Sequence, residues 1–406
     1  MHVTDHVTAQ RSFNVETRGQ GNISLDDNIN ALQDLSMKTE TGNITVGKTI
    51  TARRGSVAMT TGIGNITVGE DVYAGEDVNM TVGKGNISIE KTVTAEQGNL
   101  DIRTKDGNIH IGDNGPSVKT VSAGGNVSLI TDLGKIEVYG KTYTKNGSIT
   151  LAAANAEYVS GEGGKNIIIA QHGEIDSGQD ATLIATNGDL FVTDSVKAKR
   201  TVYAITQGTG NVVLDDKLTI NGSLVAETNT GDIHLVGDAN IGRDLRLKTE
   251  VGDISLDNVN AQGDVNISIT DSGSVKGNNI ISGGTTRVEL TNGDLFLNLA
   301  EGKAVLLKME NNTEASKVNQ VLAEARGGTS PDVTLTGNFI QIGSMAAKGG
   351  TSVFELSAMG AGNQKLIAGN FYIGSLRSSN GTHSRISGPI MAMSMWMKET
   401  WLWMMC

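Results

Sequence analysis

The stretch Gly64–Ile89, GNITVGEDVYAGEDVNMTVGKGNISI, opens and closes on one five-residue block, Gly64-Asn65-Ile66-Thr67-Val68 and Gly85-Asn86-Ile87-Ser88-Ile89, set 21 residues apart. Between them lies a half-repeat, Gly75-Glu76-Asp77-Val78-Asn79-Met80. Ile66 and Val68 fall on one side of an extended chain and Thr67 on the other, the two-residue period of a strand. Gly-Asn before the strand supplies the tight or left-handed conformation of a corner.

Read outward, the block returns at Gly21, Gly42, Gly64, Gly85, Gly107, Gly125 and Gly147, and again at Gly188, Gly210, Gly231, Gly252, Gly273 and Gly293. Successive intervals are 21, 22, 21, 22, 18 and 22 in the first run and 22, 21, 21, 21 and 20 in the second. Further glycine-led strands at Gly55, Gly98, Gly134, Gly222, Gly242 and Gly263 fall between these blocks, so one coil holds more than one strand. A period near 21 with strands of three to five residues excludes helical solenoids, whose repeats are longer and follow a 3.6-residue pattern. The Leu-x-x-Leu-x-Leu spacing of leucine-rich repeats is missing. The expected fold class is all-β, a parallel β-helix with coils of about 21 residues, whose inward aliphatic residues form a continuous column.

Composition agrees. Among 406 residues, 52 are glycine and only 3 proline, so the glycines mark a pattern and not a flexible linker. Aromatic residues are 4% of the chain, which leaves the burying to Ile, Val and Leu. The net charge of -11 argues against a nucleic-acid partner, whose phosphates require a clustered basic face. Arg53-Arg54 and Lys197-Ala198-Lys199-Arg200 read as isolated solvated turns. The single cysteine, Cys406, forms no disulfide framework and no thiolate metal site. No charged start followed by an apolar run opens the chain, and no stretch reaches the ~18 apolar residues of a membrane helix.

The pattern divides the chain into an irregular or first-coil segment at 1–20, repeats at 21–300, an excursion at 301–332, renewed repeats at 333–383 and a tail at 384–406. Within the excursion, Thr313–Arg326 places Ala315, Val318, Leu322 and Ala325 on one face, with Thr313 as N-cap and Gly327 beyond the end, and is expected to be a helix. The tail holds all 3 tryptophans, the only cysteine and 6 of the 13 methionines, and reads as foreign to the repeat, an expectation of out-of-frame translation.

Chemistry-bearing motifs are sparse. Gly42-Asn43-Ile44-Thr45-Val46-Gly47-Lys48-Thr49 satisfies G-x-x-x-x-G-K-[ST], but a phosphate loop needs a helix after it, and the equivalent positions of the next block are Glu70 and Asp71. No nucleotide is expected. His2, His6, His110, His172, His234 and His383 lack metal-ligand spacing, and His110 and His234 occupy the outward slot filled elsewhere by Ser or Thr. Thr49/Thr51, Thr92/Thr94 and Thr142/Thr144 resemble the threonine arrays of ice-binding β-helices but do not recur in every coil. Asp26, Asp27, Asp215 and Asp216 are among the carboxylates a glycosidase or lyase would draw on, if they converged on one groove. No catalytic, cofactor or metal residue is assigned.

Tandem Gly-Asn-Ile-Ser/Thr-Val/Leu strands, few aromatics and almost no cysteine make residues 21–383 similar to the shaft of filamentous haemagglutinin-like adhesins, the large exoproteins of two-partner secretion. The resemblance implies a right-handed β-helix and export through a dedicated outer-membrane transporter. It also implies a role in attachment to host cells, surfaces or other bacteria, and the expected function is a non-enzymatic shaft segment whose partners are host-cell glycans or surface proteins and other bacterial surfaces. The family's signal peptide and N-terminal secretion domain are not recognisable here, so the chain resembles an internal shaft fragment displayed at the bacterial surface or secreted. The alternative is a β-helix that binds or degrades polysaccharide, and a third reading is an envelope or matrix structural protein. A lyase is expected to cluster charged residues on one sheet face, and an adhesin shaft to present a regular polar face.

Overall fold

The computed structural model describes residues 1–112, 119–154, 165–169, 173–311, 316–324, 332–337, 339–348, 352–358, 370–378, 382–387 and 390–396. They form a parallel β-solenoid, and all the regular elements among them are strands. The chain divides into two compact units, Met1–Ile220 and Asn221–Cys406.

In the first unit a coil consists of two short strands and one longer one, as in Ile44–Val46, Ile50–Ala52 and Val57–Ile63. The next coil repeats them at Ile66–Val68, Val72–Ala74 and Val78–Lys84, each parallel to and in register with its predecessor. Register follows from alternation, because a slip of one residue would turn every inward aliphatic outward. Ile44, Ile66, Ile87, Ile109 and Ile136 accordingly stack in one column, and each is fully buried. On the second strand an alanine column, Ala31, Ala52, Ala74, Ala95 and Ala123, lets the coil close tightly. Met37, Met59 and Met80 fill the third face. Each fully buried Ile, Val or Met side chain contributes about 1.5–3 kcal/mol.

Two devices satisfy the corners. The side-chain oxygens of Asn22, Asn43, Asn65 and Asn86 each accept the backbone N–H one coil on, from Asn43, Asn65, Asn86 and Asn108, all at 2.8 Å. Buried threonines on the third strand donate to corner carbonyls, Thr39 to Gly21, Thr61 to Gly42, Thr104 to Gly85 and Thr131 to Gly107, at 2.7–2.9 Å. The corner itself requires glycine: Gly64 has φ 141°, and a Cβ there would lie 2.2 Å from the Gly42 carbonyl oxygen.

The phase of the repeat differs from the sequence reading at Gly125 and Gly147. Gly134, not Gly125, stacks on Gly107, where an added Cβ would meet the Gly107 carbonyl oxygen at 2.0 Å. Gly125 belongs to a second corner: its N–H donates to the Gly98 carbonyl at 2.8 Å, and Gly147 stacks on Gly125 in turn. Both corners use glycine, a small polar residue and then alternating aliphatics, so the blocks look alike. The 18-residue interval marks a jump from one corner to the other.

In the second unit the same coil appears at Ile233–Leu235, Ala239–Ile241 and Leu245–Val251. It then simplifies. The turn between the short strands contracts to Asp257 and Asn258, and the two fuse into one bent strand, Ile254–Ala261. Val275–Ser282, Leu295–Gly302 and Ser316–Glu324 repeat the fused form.

Here the helix expected over Thr313–Arg326 is corrected: Ser316–Glu324 is a strand parallel to Leu295–Gly302. A bent strand buries Ser316 and Val318 before the bend and Val321 and Ala323 after it, and that spacing imitates a helical stripe. Strands Asp332–Gly337, Phe339–Lys348, Ser352–Ala358, Asn370–Ser378 and Thr382–Ser387 continue the parallel pairing, as does Ile390–Trp396 within the tail. Residues 397–406 lie outside the described residues.

Candidate functional site

Inward positions are aliphatic apart from threonines and a few serines, so titratable chemistry is confined to outward side chains and turns. The phosphate-loop lookalike is a strand, Ile44–Val46, followed by a second strand, Ile50–Ala52, where a helix N-terminus would be required. Lys48 pairs with Asp27 at 3.1 Å and the Thr49 hydroxyl donates to Glu70 at 3.2 Å. Both side chains therefore serve coil-to-coil contacts.

The acidic pairs do not converge. Asp26-Asp27 and Asp215-Asp216 occupy the same turn of coils eight strand spacings apart in the first unit, about 38 Å. Asp26 lies 3.4 Å from His2. Asp27 accepts the Asn28 N–H at 2.7 Å, and this bond, with the Lys48 ammonium, lowers its pKa. Of the basic clusters, Lys197 pairs with Glu174 at 2.6 Å and Arg200 lies 3.6 Å from Asp180. Thr142 and Thr144 point inward and are buried, unlike the half-buried Thr51 and Thr94, which breaks any flat array.

Charges do cluster on consecutive coils around Glu137. Its carboxylate lies 2.6 Å from Lys135 and 3.4 Å from His110, whose ring tilts against Tyr139 with centroids 5.3 Å apart. On the adjoining face Lys141 contacts Glu174 at 3.3 Å and also Asp176, and its ammonium lies 5.4 Å from the Tyr143 ring centroid. Burial alone would raise Glu137, but Lys135 and His110 outweigh it and the pKa falls. Glu174 is lowered in the same way, burial being overcome by Lys197 and Lys141. Burial would lower Lys141, and Asp176 and Glu174 raise it instead. The three groups are thus held in their charged forms.

The second unit carries a feature the sequence reading missed. Where the short strands fuse, a cleft of about 440 Å³ opens between Val236, Ser255, Asp257, Lys276, Gly277 and Phe296. A neighbouring cleft of about 340 Å³ shares Gly277, Asn278 and Phe296 and extends to Asn298, Lys317 and Asn319. Alongside runs an exposed amide ladder. Asn258 donates to Asp238 at 2.9 Å, Asn279 to Asn258 at 2.9 Å, Asn298 to Asn279 at 2.8 Å and Asn319 to Asn298 at 3.2 Å. Its signal in the sequence is the spacing of Asn258, Asn279, Asn298 and Asn319 by 21, 19 and 21 residues. His234, expected in the outward slot, stands there half-buried, with Nδ1 2.5 Å from the Ser255 hydroxyl and Nε2 3.7 Å from Asp232.

Among the described residues no helix is long and apolar enough to cross a membrane, and no group of three or more His, Cys, Asp or Glu side chains is placed to hold a metal ion. Comparison with protein-family models, with curated proteins and with solved structures gave no match.

Proposed function

We propose that this chain is a non-enzymatic shaft segment of a surface-exposed or secreted bacterial adhesin of the filamentous haemagglutinin type, attaching to host cells, surfaces or other bacteria. The observation that carries this reading is the exposed ladder from Asp238 to Asn319. It repeats one hydrogen-bonding group at each coil along an open face, an arrangement suited to an extended glycan or a protein strand. The inward columns serve to hold that face in register.

The alternative, a polysaccharide lyase or glycosidase, draws on the cluster around Glu137 and Lys141. An acid–base pair works best with pKa values near the operating pH. The neighbours of Glu137, Glu174 and Lys141 drive their pKa values the other way, toward permanent charge. That favours an ion-pair network tying coils together over a proton-transfer site. Incubating the full chain with acidic polysaccharides and measuring new chain ends tests the choice. No release is expected, and sustained release would replace the adhesive reading with the degradative one.

A further inference from the structure

The fused strands of the second unit place Lys276, Phe296 and Lys317 in one outward column, each in register with the next. The two lysines are two strand spacings apart, about 9.6 Å, with the half-buried ring between them. Neither lysine forms an ion pair among the described residues, unlike Lys135, Lys141 and Lys197. Lys276 borders the first of the clefts described above and Lys317 the second, and Gly277, which lines both, stands in register with the buried Leu256 and Leu297.

We propose that this cleft is a binding subsite for a uronate-bearing glycan, an inference that rests on the adhesive reading above and names its ligand class. An amide offers two N–H donors and two acceptor lone pairs, and the ladder commits one of each from Asn279 and Asn298. The remaining donor and acceptor on each exposed amide match the vicinal hydroxyls of a sugar. Phe296 supplies an apolar surface for the C–H face of a pyranose ring. Lys276 and Lys317 supply two cations at a separation comparable with a disaccharide, which suits one carboxylate on alternate sugars. A densely sulfated chain fits less well, because Asp257, fixed by the Gly237 N–H at 2.9 Å, lines the same cleft and the whole chain carries a net charge of -11.

The test is titration of the full chain with a hyaluronan octasaccharide by calorimetry, with a heparin octasaccharide and a neutral dextran oligomer as comparators. The hyaluronan probe is expected to bind and the dextran to bind far more weakly. The double variant Lys276→Gln/Lys317→Gln and the single variant Phe296→Ala are each expected to lower the affinity about tenfold or more, the scale of one lost charge-assisted hydrogen bond or packed ring. Lys248→Gln, on the third face, should leave it unchanged. All these side chains point outward, and an unchanged circular dichroism spectrum and melting temperature will show that the coils persist. Absence of hyaluronan binding, equal binding of dextran, tighter binding of heparin, or indifference to the three substitutions would each overturn the assignment. Failure of the subsite is separable from failure of the adhesive reading, since cells would still retain the chain, and retention would be unaffected by Lys276→Gln/Lys317→Gln.

Discussion

The hydroxyl of Thr61 donates to the carbonyl oxygen of Gly42 at 2.9 Å, closing the corner of its coil from inside. In the following coil Val82 stands in register with Thr61, fully buried but with no hydroxyl to offer the Gly64 carbonyl. The molecule thus contains its own comparison. Thr61→Val should lower stability by about 1 kcal/mol, the net value of a buried hydrogen bond. Val82→Thr should recover part of that amount, and urea unfolding of the two variants will show whether the signs are opposite.

Thr142 presents the reverse case. Its hydroxyl is buried without a hydrogen-bond partner among the described residues, in a column shared with Val93, Val121 and Ile175. An unsatisfied buried polar group costs roughly 1–3 kcal/mol, so Thr142→Val is expected to raise the melting temperature. An unchanged or lowered value would mean that the hydroxyl is satisfied.

Gly64→Ala should be among the most damaging single-methyl changes. The left-handed backbone strain costs on the order of 1–3 kcal/mol, and the contact 2.2 Å from the Gly42 carbonyl oxygen adds to it, because backbone on both sides is pinned by strand pairing. A calorimetric scan should show a marked fall in melting temperature, whereas Gly125→Ala reports on the second corner and so on the phase assigned above.

The ion-pair cluster predicts a pH dependence of definite sign. Glu137 and Glu174 have pKa values lowered from the ordinary 4.5, so their contribution to stability is complete above that value and is lost as pH falls through the lowered folded-state values. Lys141 is raised from 10.5, and its contribution is complete below that value and disappears as pH rises through the elevated one. Glu137→Gln and Glu174→Gln should each flatten the acid limb of a plot of melting temperature against pH. A plot of unchanged slope would mean that these charges are screened by solvent.

Much of this architecture was legible in the sequence, and the limits have physical causes. Strand alternation and a period near 21 are imposed by coil geometry, so the inward column of Ile44, Ile66 and Ile87 could be read directly. The phase at Gly125 could not, because two corners of one coil solve the same steric problem with the same residues. Ser316–Glu324 imitated a helix because a bend inside a strand shifts the alternation by one residue. The ladder through Asn279 and Asn298 escaped notice because an outward asparagine looks like any turn residue until stacking aligns it with the next.

The most direct test of the adhesive account is retention of the full chain on host-cell monolayers and on immobilised glycans, measured with native protein and with protein carrying Asn279→Ala and Asn298→Ala together. Saturable retention is expected, falling when the ladder is interrupted while the fold persists. No retention on any surface, or retention indifferent to the ladder, would contradict it.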